Sequence, residues 1–255
     1  MNELPRTPSF RLDGKRALVT GAGRGIGAAM AAALAEVGAA VTLVARSETE
    51  IETLAEAIRA AGGTASAQVL DVSDLDAVGA FFASADPFDV LVNNAGTNRP
   101  MPMQDVSEAD FDAVIDLNVK AAFFVAQACA KHLIKAGKPG SFIHIGSQMG
   151  HVGGLNRSLY CASKWAIEGM NKAFALDLAR HQIRSNTICP TFIETPLTKP
   201  FFEDASFKAS VLEKIKLGRI GQVEDLMGAV VFLASDASAL MTGSSLVIDG
   251  GWTAE

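Results

Sequence analysis

Arg16-Ala17-Leu18-Val19-Thr20-Gly21-Ala22-Gly23-Arg24-Gly25-Ile26-Gly27 carries a short apolar run straight into a glycine-rich turn. Residues 16–20 predict a buried strand, and residues 25–37 predict the helix that follows. Gly21, Gly25 and Gly27 spell G-x-x-x-G-x-G, while Gly23, Gly25 and Ala28 also satisfy the looser G-x-G-x-x-A spacing. A strand that enters a helix through glycines lets backbone N–H groups approach a pyrophosphate, whose charge the helix dipole favours. At the first strand-to-helix turn of an alternating pattern, dinucleotide binding is favoured over a tight turn without ligand.

The pattern continues outward from this turn. Residues 40–45 predict a second strand and 47–61 its helix, stopped by Gly62-Gly63. Val69 and Leu70 close a third strand, with a short helix over 74–82. A fourth strand starts at Val90-Leu91-Val92 and ends in Asn93-Asn94-Ala95-Gly96. A long helix covers 107–136, with Ser107 as N-cap and Asp110 at the third helical position. The strands at 142–145, 185–189 and 246–248 alternate with helices over 158–180 and 223–233. Continuous apolar strands with intervening helices imply a parallel sheet covered on both faces, a three-layer α/β/α architecture. Two segments break the rhythm: the glycine-rich stretch 146–157 and the long crossover 191–217, of a length that is usually functional.

Composition narrows the classes. The 255 residues, 49% of them apolar, suit one domain over 1–255, with residues 1–10 as an extension. A net charge of −6 without a basic stripe argues against nucleic acid. Cys129, Cys161 and Cys189 are odd in number and widely spaced, which predicts reduced thiols in a cytoplasmic protein and no zinc site. The four histidines show no metal-ligand spacing, so no metal is expected. Residues 1–16 lack the apolar core of a secretory signal, and the most apolar stretch, 28–45, is broken by Glu36 and Gly38; no membrane span is expected.

Tyr160 is the only tyrosine, and Lys164 follows it at i+4, on the same face of a helix. A free phenol has a pKa near 10, and a neighbouring cation lowers it, so the pair points to acid–base chemistry. The match is short and weak by itself. At the tip of the second strand stands Ala45-Arg46-Ser47, with no acid to hold ribose hydroxyls. Arg46, Ser47 and Arg24 suit a 2′-phosphate, which predicts NADP(H) over NAD(H), with Glu48 as the acid that would favour the latter.

Taken together, the glycine turn, Asn93-Asn94-Ala95-Gly96, Ser147 and Tyr160-x-x-x-Lys164 resemble the short-chain dehydrogenase/reductase family, from about residue 10 to the end. The resemblance implies a single Rossmann-type doubly wound domain with sheet order 3-2-1-4-5-6-7. It implies that Tyr160 is the acid/base, that Lys164 lowers its pKa and bonds the nicotinamide ribose, and that Ser147 donates to the substrate oxygen. Asn118 would interrupt its helix and connect Lys164 through water to solvent. Cofactor contacts would come from Gly21, Gly23, Arg24, Gly25, Ile26 and Gly27 in the turn. Further contacts would come from Asp71 and Val72, from Asn94, Ala95 and Gly96, and from Pro190, Ile193 and Thr195. One departure stands out: Pro190 is followed by Thr191, where family members often carry glycine.

Substrate walls are expected from residues 96–103, 148–156 and 191–207, at the carboxyl ends of strands. Arg99, Gln148, His151, Phe192 and Phe201 are the candidates, with Arg99 or His151 available to meet a carboxylate. Polar walls favour a polyhydroxylated or acidic substrate, as in gluconate 5-dehydrogenase-type members. A 3-oxoacyl-(acyl carrier protein) reductase is the close rival, with Lys199, Lys208, Lys214, Lys216 and Arg219 as a thin basic rim. A non-catalytic NADP-binding sensor is the rival of another class. Family members bury the faces of the two long helices between subunits, so a dimer or, in preference, a homotetramer is expected.

Overall fold

The computed structural model describes residues 4–254. Seven parallel strands are β1 (Arg16–Thr20), β2 (Ala40–Ala45), β3 (Thr64–Val69), β4 (Val90–Asn93), β5 (Gly140–Ile145), β6 (Ile183–Pro190) and β7 (Ser245–Ile248). They pair in the order β3-β2-β1-β4-β5-β6-β7, as expected from the resemblance. β1 lies between β2 and β4, with Leu18 paired to Thr42 on one side and Leu91 on the other. The direction of the order changes between β1 and β4, which opens a ligand crevice at their carboxyl ends.

Both faces of β1 are covered, which explains its unbroken apolar run. Ala17 and Val19 face a core with Met30 and Leu34 of α1 (Gly25–Glu36) and Val230 of α8 (Glu224–Ala234). Leu18 faces the opposite core, with Phe82 of α3 (Leu75–Ser84) and Val125, Cys129 and Leu133 of α5 (Ala122–Ala136). Each fully buried large apolar side chain contributes about 1.5–3 kcal/mol. The second helix, α2 (Glu48–Ala60), lies over the first face through Ile51 and Ala55.

The long helix runs from α4 (Glu108–Ile115) through a π-helical turn, Asp116–Ala121, into α5. Ser107 and Asp110 form the expected capping box. By length and composition alone Glu108–Ala136 is apolar enough to cross a membrane, with a mean hydropathy of 1.4, although the sequence reading expected no span. Here its apolar residues pack on the sheet with Leu91 and Phe142.

Two elements exceed the expectation. β3 starts at Thr64 because it pairs along the whole of β2, and its polar residues hid that start. The crossover 191–217 contains a helix, α7 (Ala205–Lys214), capped by Asp204, which accepts from Ser206 and Phe207 N–H groups at 2.8 and 3.2 Å. Only Val211 of α7 is buried, so its apolar periodicity is faint. Val211, Ile215 and Ile220 form a small separate core with Phe192, Phe202, Phe207 and Trp252.

Candidate active site

A cavity of about 890 Å³ opens at the switch in strand order, floored by the glycine turn. Gly21 and Gly25 have φ of +62° and +57°, a region that disfavours side chains. A Cβ on Gly27 would stand 2.2 Å from the Gly21 carbonyl oxygen. Asn94 Nδ2 donates to Thr20 and Gly21 carbonyls at 3.0 Å, and Thr20 Oγ1 accepts from Asn94 and Ala95 N–H groups. The end of β4 therefore holds the turn in shape. α1 begins without a side-chain cap, which leaves its first N–H groups available to an anion.

Arg24, Arg46, Ser47, Asp71 and Val72 line the far end of the cavity. Both arginines are exposed and loosely tied, Arg24 to Glu50 at 3.4 Å and Arg46 to Asp71 at 3.9 Å. The Ser47 hydroxyl accepts from Glu50 N–H as the cap of α2. The acid beside this end is Glu50 rather than Glu48: Glu50 lies in the wall, against Gly23, and Glu48 does not.

At the other end stand Ser147, Tyr160 and Lys164, with Pro190, Ile193 and Thr195. Gly23, Gly25, Ile26, Gly27, Asn94, Ala95 and Gly96 occupy the wall between. Ser147 leaves the end of β5 in extended backbone, and α6 (Ser158–Leu178) carries Tyr160 and Lys164 one turn apart. The Lys164 ammonium lies 5.5 Å from the Tyr160 ring centroid and donates to the Ile145 carbonyl at 2.7 Å.

Burial acts on this pair against the expected lowering of the phenol pKa. Burial pushes Tyr160 up to about 12, while the Ser147 hydroxyl and the Arg157 charge pull the other way. Burial likewise pushes Lys164 down to about 8, with the Cys189 thiol and Glu168 carboxylate opposing it. Desolvation outweighs the cation because both groups lie deep in the wall.

Asn118 lies outside the cavity wall, in the π-helical turn, and is buried. Its Oδ1 accepts from Thr97 N–H at 2.8 Å, and its Nδ2 donates to the Thr97 carbonyl and to Ser163 Oγ. The side chain is spent on tying the loop after β4 to α6.

Of the substrate candidates, Arg99, Gln148, Phe192 and Phe201 line the cavity. Arg99 is already paired with Asp110 at 2.7 Å. Gln148 accepts the Ser147 hydroxyl at 2.8 Å. His151 is not in the wall: its Nε2 turns to Cys189 Sγ at 3.4 Å. It belongs to a group with Glu168 and Cys189 whose ligand atoms lie within 4.8 Å, although the histidine spacing suggested no such set. Glu168 accepts from Thr187, Ser245 and the Cys189 thiol, so these residues form a hydrogen-bonded network beneath Lys164. Arg157 is a further site residue, which the sequence places only among the polar groups of the substrate walls. It sits at the start of α6 in the glycine-rich segment, and its burial could not be read from spacing.

Known proteins share this arrangement over nearly their whole length. Residues 21–253 match the family described as enoyl-(acyl carrier protein) reductase. A gluconate 5-dehydrogenase of Gluconobacter oxydans (strain 621H) is 39% identical over 248 residues, covering 96% of each chain. A D-erythrulose reductase of Gallus gallus is 37% identical over 245 residues, 96% of this chain and 98% of its own. A gluconate 5-dehydrogenase from Burkholderia cenocepacia J2315, solved in complex with NADP and tartrate, aligns with a TM-score of 0.92. That structure is 40% identical, over 96% of this chain and 98% of its own. With the glycine turn, the sheet order and the serine, tyrosine and lysine in one cavity, the chain belongs to the short-chain dehydrogenase/reductase family of oxidoreductases.

Proposed function

We propose that this protein interconverts a secondary alcohol and a ketone on a sugar acid or polyol, with NADP(H) preferred and NAD(H) as the weaker cofactor. The observation that carries this reading is the meeting of Ser147, Tyr160 and Lys164 in the cavity floored by the glycine turn. The turn fits a dinucleotide: a Cβ at Gly21 or Gly27 would collide with fixed neighbours. Gly21, Gly25 and the start of α1 would hold the pyrophosphate, and Arg24, Arg46 and Ser47 the adenosine phosphate. When bound, a nicotinamide supplies the hydride acceptor or donor.

Tyr160 Oη takes the alcohol proton in oxidation and returns it in reduction. Ser147 Oγ turns from Gln148 to donate to the substrate oxygen as charge develops there. Lys164 holds the nicotinamide ribose and maintains positive charge beside the phenol. Asn118 acts through its main chain at the π-helical turn, because its amide is fully engaged.

The sugar reading draws on relatives that act on gluconate and erythrulose. The acyl-carrier reading is weakened because Arg219, a member of the basic rim, is held bidentately by Asp225 at 2.6 and 2.7 Å. Gluconate oxidation and acetoacetyl-thioester reduction, each assayed with both cofactors, separate the two. NADP-linked oxidation of the sugar acid is the expected result, and thioester reduction alone overturns the sugar reading.

Cofactor choice is testable at Arg46. Replacing it by alanine removes a phosphate contact and is expected to raise the KM for NADP about 10- to 100-fold, with the KM for NAD little changed. Equal effects on both cofactors in initial-rate kinetics would exclude the proposed contact.

We further propose a homotetramer, in the cytoplasm. Phe123, Phe124, Ile134, Trp165 and Leu176 leave apolar surface exposed on α5 and α6, and all three cysteines are free. Light scattering is expected to give about four times the 26.7 kDa chain mass, and a monomer at micromolar concentration would refute the assembly.

A further inference from the structure

Arg157 is 8% exposed, yet its Nη1 has no hydrogen-bond partner and no carboxylate pairs with the guanidinium among the described residues. The Phe201 ring lies 5.5 Å from its Cζ. Buried guanidinium groups are ordinarily paired, because an unpaired charge loses its hydration without compensation. Two more buried polar atoms without partners, Asn98 Oδ1 and Thr191 Oγ1, line the same cavity. The only other such atom among the described residues, Arg16 Nη1, lies 3.2 Å from Asp86, outside that wall.

The three unmatched groups describe a missing ligand by its complement. The guanidinium requires an anion, the Asn98 carbonyl a hydrogen-bond donor, and the Thr191 hydroxyl either a donor or an acceptor. A neutral polyol satisfies Asn98 and Thr191 but leaves Arg157 unpaired. A fatty acyl thioester satisfies none of them well. A polyhydroxylated carboxylate satisfies all three. Arg99, the other cation in the substrate wall, is already neutralised by Asp110, and His151 is turned out of the wall. The Phe201 ring stacks one face of the guanidinium, which leaves its hydrogen-bonding edge for a planar carboxylate. The Arg157 charge also reaches Tyr160, so the anchor lies beside the proton-transfer group.

We propose that Arg157 anchors the carboxylate of a sugar-acid substrate, with Asn98 and Thr191 bonding its hydroxyls. This rests on the oxidoreductase reading above and selects the sugar acid over the neutral polyol. The position of Thr191 gives a reason for its departure from the family's glycine: the hydroxyl serves the substrate rather than the turn.

D-gluconate and D-glucitol differ only at C1, where one carries a carboxylate and the other an alcohol, so their comparison isolates the anchor. With NADP, the wild type is expected to prefer D-gluconate by at least about 50-fold in kcat/KM. Arg157→Gln is expected to raise the KM for D-gluconate about 100-fold, the scale of losing one partner of a desolvated charge pair, and to leave the KM for D-glucitol within about threefold, the lost charge beside Tyr160 falling on kcat for both alike. Arg157→Lys retains the charge and is expected to recover part of the loss. NADPH affinity and thermal midpoint, measured on each variant, identify a folding defect. Equal turnover of the two substrates by the wild type, or an equal rise in KM for both in Arg157→Gln, overturns the anchor and leaves the redox reading standing. Should neither substrate turn over, calorimetry with D-gluconate, 2-dehydro-3-deoxy-D-gluconate and tartrate on the NADP complex decides. Binding that Arg157→Gln abolishes sustains the anchor and removes D-gluconate and D-glucitol as turned-over substrates; absence of binding removes the anchor.

Discussion

Tyr160→Phe is expected to lower kcat about 10³-fold in both directions while NADPH binds within about twofold of wild type. The substitution removes one oxygen and leaves the ring that packs beneath the Lys164 ammonium. Without that oxygen no group in the wall at this position can accept the alcohol proton, since Ser147 is a hydroxyl already bonded to Gln148. The pH profile supplies a second reading. A phenol pushed up to about 12 is almost wholly protonated at neutral pH, so oxidation, which requires the phenolate, accelerates as pH rises. Reduction, which requires the phenol, does not share that rise. In the phenylalanine variant the rising limb of oxidation disappears. Stopped-flow and steady-state rates from pH 6 to 10 check both statements, and a variant retaining wild-type kcat would remove Tyr160 from the chemistry.

Gly27→Ala should abolish measurable NADPH binding and lower the thermal midpoint by about 3–10 °C. The added Cβ would meet the Gly21 carbonyl oxygen at 2.2 Å and Asn94 Nδ2 at 2.5 Å. Neither neighbour is a flexible side-chain end: the carbonyl accepts from that same amide, which bonds Thr20 as well. The turn must open, and the backbone donors then leave the positions that suit a pyrophosphate. Gly79→Ala is the control, because a Cβ there meets nothing within 4 Å and the site lies in α3, where alanine is the better helix former. Differential scanning calorimetry and NADPH fluorescence measure both variants. Unchanged binding in Gly27→Ala would mean that the turn does not hold the cofactor.

The local sequence was sufficient where structure follows from neighbours along the chain. Strands such as Val90–Asn93 are buried on both faces and therefore read as unbroken apolar runs. Edge elements were harder. β3 alternates polar residues on its open side, and α7 rests on one buried valine, so neither offers a strong pattern. The i to i+4 spacing put Tyr160 and Lys164 together in one wall, but carried no signal of how deeply the fold buries them. Spacing sets distance, whereas burial sets the dielectric, and here desolvation moves both groups toward their neutral forms.

Alternating strands and helices, the glycine turn and the order Ser147, Tyr160, Lys164 were determined by the sequence itself, because each depends on periodicity or on short covalent spacing. The tertiary structure alone decided which charges are already spent. Arg99 found Asp110, His151 joined Cys189 and Glu168 from distant elements, and Arg157 was buried without an acid. Pairing and desolvation depend on which side chains the fold brings within a few ångströms, and no linear pattern records that.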